Sequence, residues 1–302
     1  MAKIAIIGAG GFGISLAIAA HQNHHDVTVW DISEEIVSAI LRDGEHKTKL
    51  PGVPIPKEIR FTCDPTCLKE KSVVVFVVPS RFIRSVAQQV EPYLDGDALL
   101  VNASKGLEEE TYLTMSQVIQ SEYPHHAVGV ITGPSHAEEV GRGVPTSVVA
   151  ASVQEAAALK IQDIFSSSTF RIYINDDPVG CEIGGALKNI IALAAGICDG
   201  LKCGDNTKAA LMTRGIHEIT NLGVKMGGKP ETFSGLSGIG DLIVTCCSMH
   251  SRNRRAGILI GEGVSPEDAV KQVGTVEGYY CCHAAWELAQ KHQVSMPITE
   301  KL

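Results

Sequence analysis

The chain lacks a basic excess. Its formal charge is −8 over 302 residues, and a surface that tracks the phosphates of a nucleic acid needs the opposite balance. Nucleic acid is therefore excluded as the main partner. No apolar run reaches a bilayer-spanning length and no charged-then-apolar leader precedes Ile4, so no integral membrane segment and a cytoplasmic address are expected. The nine cysteines, an odd number, include no C-x-x-C pair, which argues against a disulfide framework and a tetrahedral zinc site. His217-Glu218 lacks the second histidine of a metalloprotease helix, and no metal is expected. Charge blocks, low-complexity tracts and fixed-period repeats are also missing. What remains is an ordinary globular composition, 44% hydrophobic and 20% charged, at a length for which two domains are the default.

What is present begins at the N-terminus. Lys3-Ile-Ala-Ile-Ile7 is a short apolar run entering Gly8-x-Gly10-x-x-Gly13, and apolar residues at helical spacing follow from Ile14 to Ala20. This reads as strand, tight turn, helix. A second β-rich run, Asp26 to Trp30, ends at Asp31, eighteen residues beyond Gly13, close to the spacing of a dinucleotide fingerprint. Gly8 lets the chain turn, Gly10 lets the backbone approach a pyrophosphate and Gly13 lets the helix sit close to the strand, with the pyrophosphate on the helix N-terminus. A carboxylate at Asp31 accepts from ribose hydroxyls and repels a 2′-phosphate. The alternative is that Asp31 caps the helix starting near Ser33. Arg42 and Lys47 are the nearest following cations able to swing toward it.

Further on, Glu34 to Leu41 reads as helix and Pro51 to Pro56 as loop. Val73 to Val78 is a continuous β-branched run of the kind buried on both faces of a parallel sheet, and runs at Ala98–Val101, Ala127–Ile131 and Ser147–Ala150 extend it. The expected architecture is α/β: an N-terminal Rossmann-type doubly wound parallel sheet followed by an all-helical C-terminal domain. Ligands of such sheets lie at the carboxyl ends of the strands, which directs attention to Val78–Arg81, Asn102–Gly106 and Thr132–Ser135. Ser135-x-x-Glu138 also has the form of a capping box. The strand–helix alternation stops near Asp176-Asp177-Pro178, so the domains are drawn as 1–177, dinucleotide-binding, and 178–302, helical and substrate-binding.

Three later stretches stand out. Pro178 to Gly200 is apolar nearly all round and should be a buried helix; one face of it, Gly184, Lys188, Ala192 and Ala195, is small apart from a single cation. Small side chains let another element or a ligand approach, and a lysine in such surroundings is rarely buried without a partner; the plainer reading is a lysine reaching water on a long stem. Gly235 to Asp241 is a glycine-rich loop ending in a carboxylate. Ser251-Arg-Asn-Arg-Arg255 places cations at what should be a helix N-terminus, an unfavourable position unless an anion is expected there; a solvated basic face is the alternative. The vicinal pairs Cys246-Cys247 and Cys281-Cys282 read first as small buried hydrophobes and second as oxidisable thiols activated by neighbouring arginines.

Together, Gly8-Ala-Gly-Gly-Phe-Gly13, Ser104-Lys-Gly-Leu-Glu108, Gly133-Pro-Ser135, Gly184-Gly-Ala-Leu-Lys-Asn189, Gly240-Asp-Leu-Ile-Val-Thr245, Ser251-Arg-Asn-Arg-Arg255 and Val276-Glu-Gly278 closely resemble the bacterial-type NAD(P)-dependent glycerol-3-phosphate dehydrogenases, end to end. The resemblance implies oxidation of sn-glycerol 3-phosphate to dihydroxyacetone phosphate and the reverse, supplying glycerol 3-phosphate for phospholipid synthesis. It implies that Lys188 is the catalytic proton acceptor and that Lys105, Gly133, Ser135, Asp241, Ser251, Arg252 and Asn253 contact the phosphorylated substrate. Gly11, Phe12, Lys105, Ala137, Arg252, Val276 and Glu277 would line the cofactor. The chain departs from the family in Asp31, where many members carry a small or basic residue, so NAD(H) is expected with NADP(H) as second choice. The family continues through a final helix, so the chain is expected to be cut short at Leu302. A homodimer is the expected assembly.

A free lysine is too basic to exchange a proton at neutral pH. Partial burial and the cations Lys105 and Arg252 should lower Lys188, while Asp241 holds its ammonium. The rivals are a related β-hydroxyacid dehydrogenase, whose substrate does not need Arg252 and Asn253 together, and a non-catalytic NAD(H)-sensing binding protein, which needs none of Lys188, Asp241 or the arginine segment.

Overall fold

The computed structural model describes residues 1–302, which divide into two compact units: Met1–Ser104 with Met115–Ile131 and Ser135–Pro178, and Lys105–Thr114 with Thr132–Pro134 and Val179–Leu302. The second unit thus takes two short pieces, 105–114 and 132–134, from the N-terminal half of the sequence.

In the first unit the strands are β1 Lys3–Ile7, β2 Asp26–Trp30, β3 Arg60–Thr62, β4 Val73–Phe76, β5 Leu99–Asn102, β6 Val128–Thr132, β7 Thr146–Ala151 and β8 Phe170–Asn175. They form one sheet in the order β3-β2-β1-β4-β5-β6-β7-β8, whose first six positions follow the order usual for dinucleotide folds. β1 runs parallel to both neighbours, with Ile6 opposite Val29 on one side and Val75 on the other. β7 and β8 pair parallel to each other. Ser152, just past β7, donates to the carbonyl of Val128 at the start of β6, so β7 runs against β6 and the sheet is mostly rather than wholly parallel. The helices are α1 Gly11–Gln22, α2 Glu34–Asp43, α3 Ile83–Val90, α4 Met115–Glu122, α5 Ala137–Gly141 and α6 Glu155–Phe165. The core joins Ile4, Ile6, Val29, Val75 and Val101 of the strands to Leu16 and Ile161 of the helices.

Two edge strands were not among the expected runs. β3 is three residues long, and β8 alternates, with Phe170 and Ile172 buried and Arg171 and Tyr173 exposed, the pattern of a half-covered strand and not of a continuous apolar run. Downstream of Ser135, α5 begins at Ala137 with extended His136 at its N-cap position.

The second unit is helical: α7 Pro178–Gly200, α8 Asp205–Lys225, α9 Pro230–Phe233, α10 Asp241–Cys247, α11 Arg252–Gly261, α12 Pro266–Val273, α13 Glu277–Lys291 and α14 Pro297–Lys301. Every residue of α7 from Gly180 to Gly196 is buried. It is the one helix long and apolar enough by itself to cross a membrane, and 89% of its apolar stretch lies inside the protein. Ile183, Leu187, Ile190 and Ile191 of α7 pack with Ile219 and Leu222 of α8, Leu242 and Cys246 of α10, and Leu288 of α13.

Candidate active site

The turn after β1 is built for close backbone approach. Gly8 has φ +112, and a Cβ on Gly13 would stand 2.2 Å from the Gly8 carbonyl, so α1 can begin this near β1 only with glycine there. At Gly10 the position of the missing Cβ faces open space, with no atom within 4 Å. The first turn of α1 carries no acidic side chain. Its free amides and positive dipole end are therefore uncompensated beside that open space, which fits an anion such as a pyrophosphate. Gly11 lies against the Lys49 carbonyl and the Ala137 side chain, Ser15 donates to the Ala137 carbonyl at 2.8 Å, and Phe12 packs at the edge of the core.

Asp31 stands at the end of β2 and does not cap a helix. One carboxylate oxygen accepts from the Ala9 amide at 2.7 Å and the other from the Ser33 amide at 2.9 Å, while Ser33 itself caps α2 through the Ile36 amide. Asp31 thus ties the end of β2 to the glycine turn, and each oxygen keeps a second lone pair. Arg42 and Lys47 do not turn toward it: both pair with Asp43, at 2.9 Å each.

In the second unit, three segments converge on one carboxylate. α7 supplies Lys188 and the 105–114 segment supplies Lys105. A widened π turn, Leu236–Gly240, leads into α10 at Asp241; such turns recur at functional sites. The small face of α7 admits that turn: a Cβ on Gly184 would be 2.7 Å from the Ser237 carbonyl. Asp241 is buried and accepts from Lys188 Nζ at 2.6 Å on one oxygen and from Lys105 Nζ at 2.7 Å on the other. Lys105 also donates to the Gly133 carbonyl at 3.0 Å. Lys188 Nζ donates to Thr245 Oγ1 at 2.5 Å, and that hydroxyl donates to the Asp241 carbonyl at 2.6 Å.

The electrostatics follow from burial. Loss of water lowers Lys188 to about 8, Asp241 works against this, and the Lys105 ammonium adds to it. Burial also works to raise the Asp241 carboxyl, but the two ammoniums outweigh it and hold it below its usual range. Lys188 uses two of its three hydrogens on Asp241 and Thr245, leaving one direction open for proton exchange.

The Ser251–Arg255 stretch opens α11 as expected, with Ser251 Oγ accepting from the Arg254 amide at 3.2 Å. Its arginines divide. Arg254 pairs with Asp199 at 2.8 Å, which also holds Lys208, so it serves the packing of α11 and awaits no anion. Arg252 and Arg255 are exposed. Asn253 is buried, donating to Asn189 Oδ1 at 2.9 Å and accepting from the Gly278 amide at 2.8 Å. Val276 is fully buried with Leu193, Ala256 and Val270 and supports the turn into α13, whose first residue is Glu277.

The chain matches the family model described as NAD-dependent glycerol-3-phosphate dehydrogenase N-terminus over residues 3–158 and the corresponding C-terminus over residues 177–302. The chain belongs to this family. A glycerol-3-phosphate dehydrogenase (NAD(P)+) of Fusobacterium nucleatum is 49% identical over 100% of this chain and 91% of its own length. One of Moorella thermoacetica is 52% identical over 99% of this chain and 90% of its own. Among solved structures, the glycerol-3-phosphate dehydrogenase of Coxiella burnetii superposes with TM-score 0.95 at 37% identity, covering 99% of this chain and 93% of that one.

Within the family frame, two site neighbours escaped the sequence reading, Thr245 and Asn189. Both had a signal. Asp241 and Thr245 are four apart on a helix and so share a face, and Asn189 follows Lys188 inside a quoted motif. For three of the four vicinal cysteines the structure supports the first reading, as small buried groups: burial pushes Cys246 and Cys281 up to about 12 and Cys282 up to about 11, away from reactive thiolate, while Cys247 is exposed.

Proposed function

We propose that this dehydrogenase interconverts sn-glycerol 3-phosphate and dihydroxyacetone phosphate, with residues 1–177 as the dinucleotide domain and 178–302 as the substrate domain. The observation that carries the reading is the buried Lys188 ammonium, lowered to about 8 and held by Asp241, a proton-exchange group poised near neutral pH. NAD(H), or NADP(H) as second choice, supplies the hydride acceptor or donor at nicotinamide C4. Gly8, Gly10, Gly11, Gly13 and Asp31 would hold its pyrophosphate and ribose, with Phe12, Ala137, Lys105, Arg252, Val276 and Glu277 completing its surroundings.

In oxidation, free-amine Lys188 takes the proton of the C2 hydroxyl as hydride leaves C2 and the carbonyl forms. Asp241 stabilises the resulting ammonium through the 2.6 Å contact, and Thr245 fixes its direction. In reduction the ammonium returns the proton to the C2 oxygen. With Lys188 protonated, the Lys105–Lys188–Asp241 cluster carries one net positive charge, which suits an anionic substrate. Gly133, Ser135, Ser251, Arg252 and Asn253 complete the substrate contacts, and Arg252 offers the phosphate a fork of donors. The enzyme works as a homodimer in the cytoplasm and supplies glycerol 3-phosphate for phospholipid synthesis.

The test is NADH oxidation with dihydroxyacetone phosphate set against a panel of 2-keto and 3-keto acids, with sedimentation of the same preparation for the dimer. Dihydroxyacetone phosphate is expected to be turned over far faster than any keto acid. A keto acid preferred over it would refute the substrate assignment, and cofactor binding without any turnover would refute the enzymatic one.

A further inference from the structure

The net charge of −8 conceals a local reversal. A cavity of about 710 Å³ lies at the start of β1, β2 and β3, at the opposite end of β1 and β2 from the glycine turn, and five cations line it: Lys3, Lys57, Arg60, Lys69 and Lys71. Only two carboxylates share the lining, and both are occupied. Arg60 holds both oxygens of Asp26, at 3.0 and 3.1 Å, and Lys3 holds Glu70 at 2.9 Å. Lys57, Lys69 and Lys71 have no carboxylate within ion-pair distance.

Lys71 decides the matter. It is 5% exposed, and its ammonium donates to a single acceptor, Thr28 Oγ1 at 2.9 Å, although it has three hydrogens to place. Buried lysines almost always have a charged partner. Burial drives Lys71 below its usual range against the pull of Asp26, and Arg60 adds to the lowering; because Arg60 already holds both Asp26 oxygens, the Lys71 charge is only partly compensated. An anion in the cavity removes that penalty. Leu41, Ile59 and Phe61 give one side an apolar wall, and the volume falls within the range of small-molecule sites, roughly 300–1,000 Å³.

We propose that this cavity is a second anion site, distinct from the dinucleotide turn, which takes a small phosphorylated metabolite through Lys71, Lys69 and Lys57. Because Lys57 and Lys69 are exposed, binding weakens with added salt.

Inorganic pyrophosphate is the probe, titrated calorimetrically into wild-type protein saturated with NADH so that the glycine turn is filled. The comparison is with Lys71→Met and with the double variant Lys57→Gln/Lys69→Gln, whose exposed positions leave the fold unaffected. Wild type is expected to bind pyrophosphate at this cavity in addition to any binding at the substrate-phosphate residues. The cavity affinity should fall about tenfold or more in each variant, as loss of a charge-assisted hydrogen bond implies, with NADH affinity unchanged. Equal stoichiometry and affinity in all three proteins, or no pyrophosphate bound by NADH-saturated wild type at millimolar concentration, overturns the proposal.

Discussion

The glycine turn after β1 and the Lys105–Lys188–Asp241 cluster both suit anionic ligands, but they are made of different materials. The turn offers main-chain amides and an empty place where Gly10 lacks a Cβ, so its chemistry is that of the backbone and its weakness is steric. The cluster offers two ammoniums on one buried carboxylate, so its geometry depends on side chains from three segments and its weakness is electrostatic. A site of the first kind fails when an atom is added. A site of the second kind fails when a charge is removed.

The largest effect should come from Lys188→Ala, which removes the exchanging amine and leaves Lys105 on Asp241. Turnover should drop by about 10²–10⁴ with NADH affinity intact, as single-turnover kinetics and fluorescence titration can check; near-normal turnover would return Lys188 to a packing role. Asp241→Asn attacks the same cluster through its stability, leaving the buried Lys188 and the half-buried Lys105 without their carboxylate. Urea unfolding near pH 7 should show a loss of about 3–5 kcal/mol, and an unchanged midpoint would mean that the ammoniums find other acceptors.

On the steric side, Gly13→Ala puts a Cβ 2.2 Å from the Gly8 carbonyl, and overpacking of this kind costs about 1–3 kcal/mol. The accompanying rise in KM should fall on the cofactor more than on dihydroxyacetone phosphate, and the reverse would erase the contrast between the regions. Asp31→Ser is the mildest change. The carboxylate is already shared by two amide donors and screened by water, so its repulsion of a 2′-phosphate is worth about 1 kcal/mol, the value for a unit-charge pair at a water-like dielectric. The ratio of kcat/KM for NADH over NADPH should therefore narrow about fivefold. Unchanged selectivity would confine Asp31 to joining β2 and the turn.

The same contrast explains what the sequence made legible. A backbone site leaves a pattern in consecutive residues: Gly8, Gly10 and Gly13 followed by Asp31 at the end of a β run specify turn, helix and second strand together. β4, with four buried residues in a row, was equally plain. Edge strands were not, because β3 is too short to show a period and β8 is buried on alternate residues only. Lys188 was visible as a cation on a face of small residues, and Asp241 as the end of a glycine loop. Their meeting at 2.6 Å was implied only by the family resemblance, because convergence of separate segments leaves no local trace. The arginine stretch misled where its cations looked equivalent: Asp199, which claims Arg254, lies far away in the chain. The first reading of the cysteines, as small buried groups, holds for Cys246, since burial rather than neighbouring charge sets it.

The central claim is that Lys188 carries the C2 proton, and the pH dependence of kcat/KM in both directions tests it most directly. Oxidation needs the free amine and reduction the ammonium. With Lys188 lowered to about 8, the oxidation rate should rise and the reduction rate fall as pH passes through that value, the two profiles crossing in opposite senses, and both breaks should vanish from the residual activity of Lys188→Ala. Profiles that run in the same sense in both directions, or a break near 8 that survives in the alanine variant, would contradict the account.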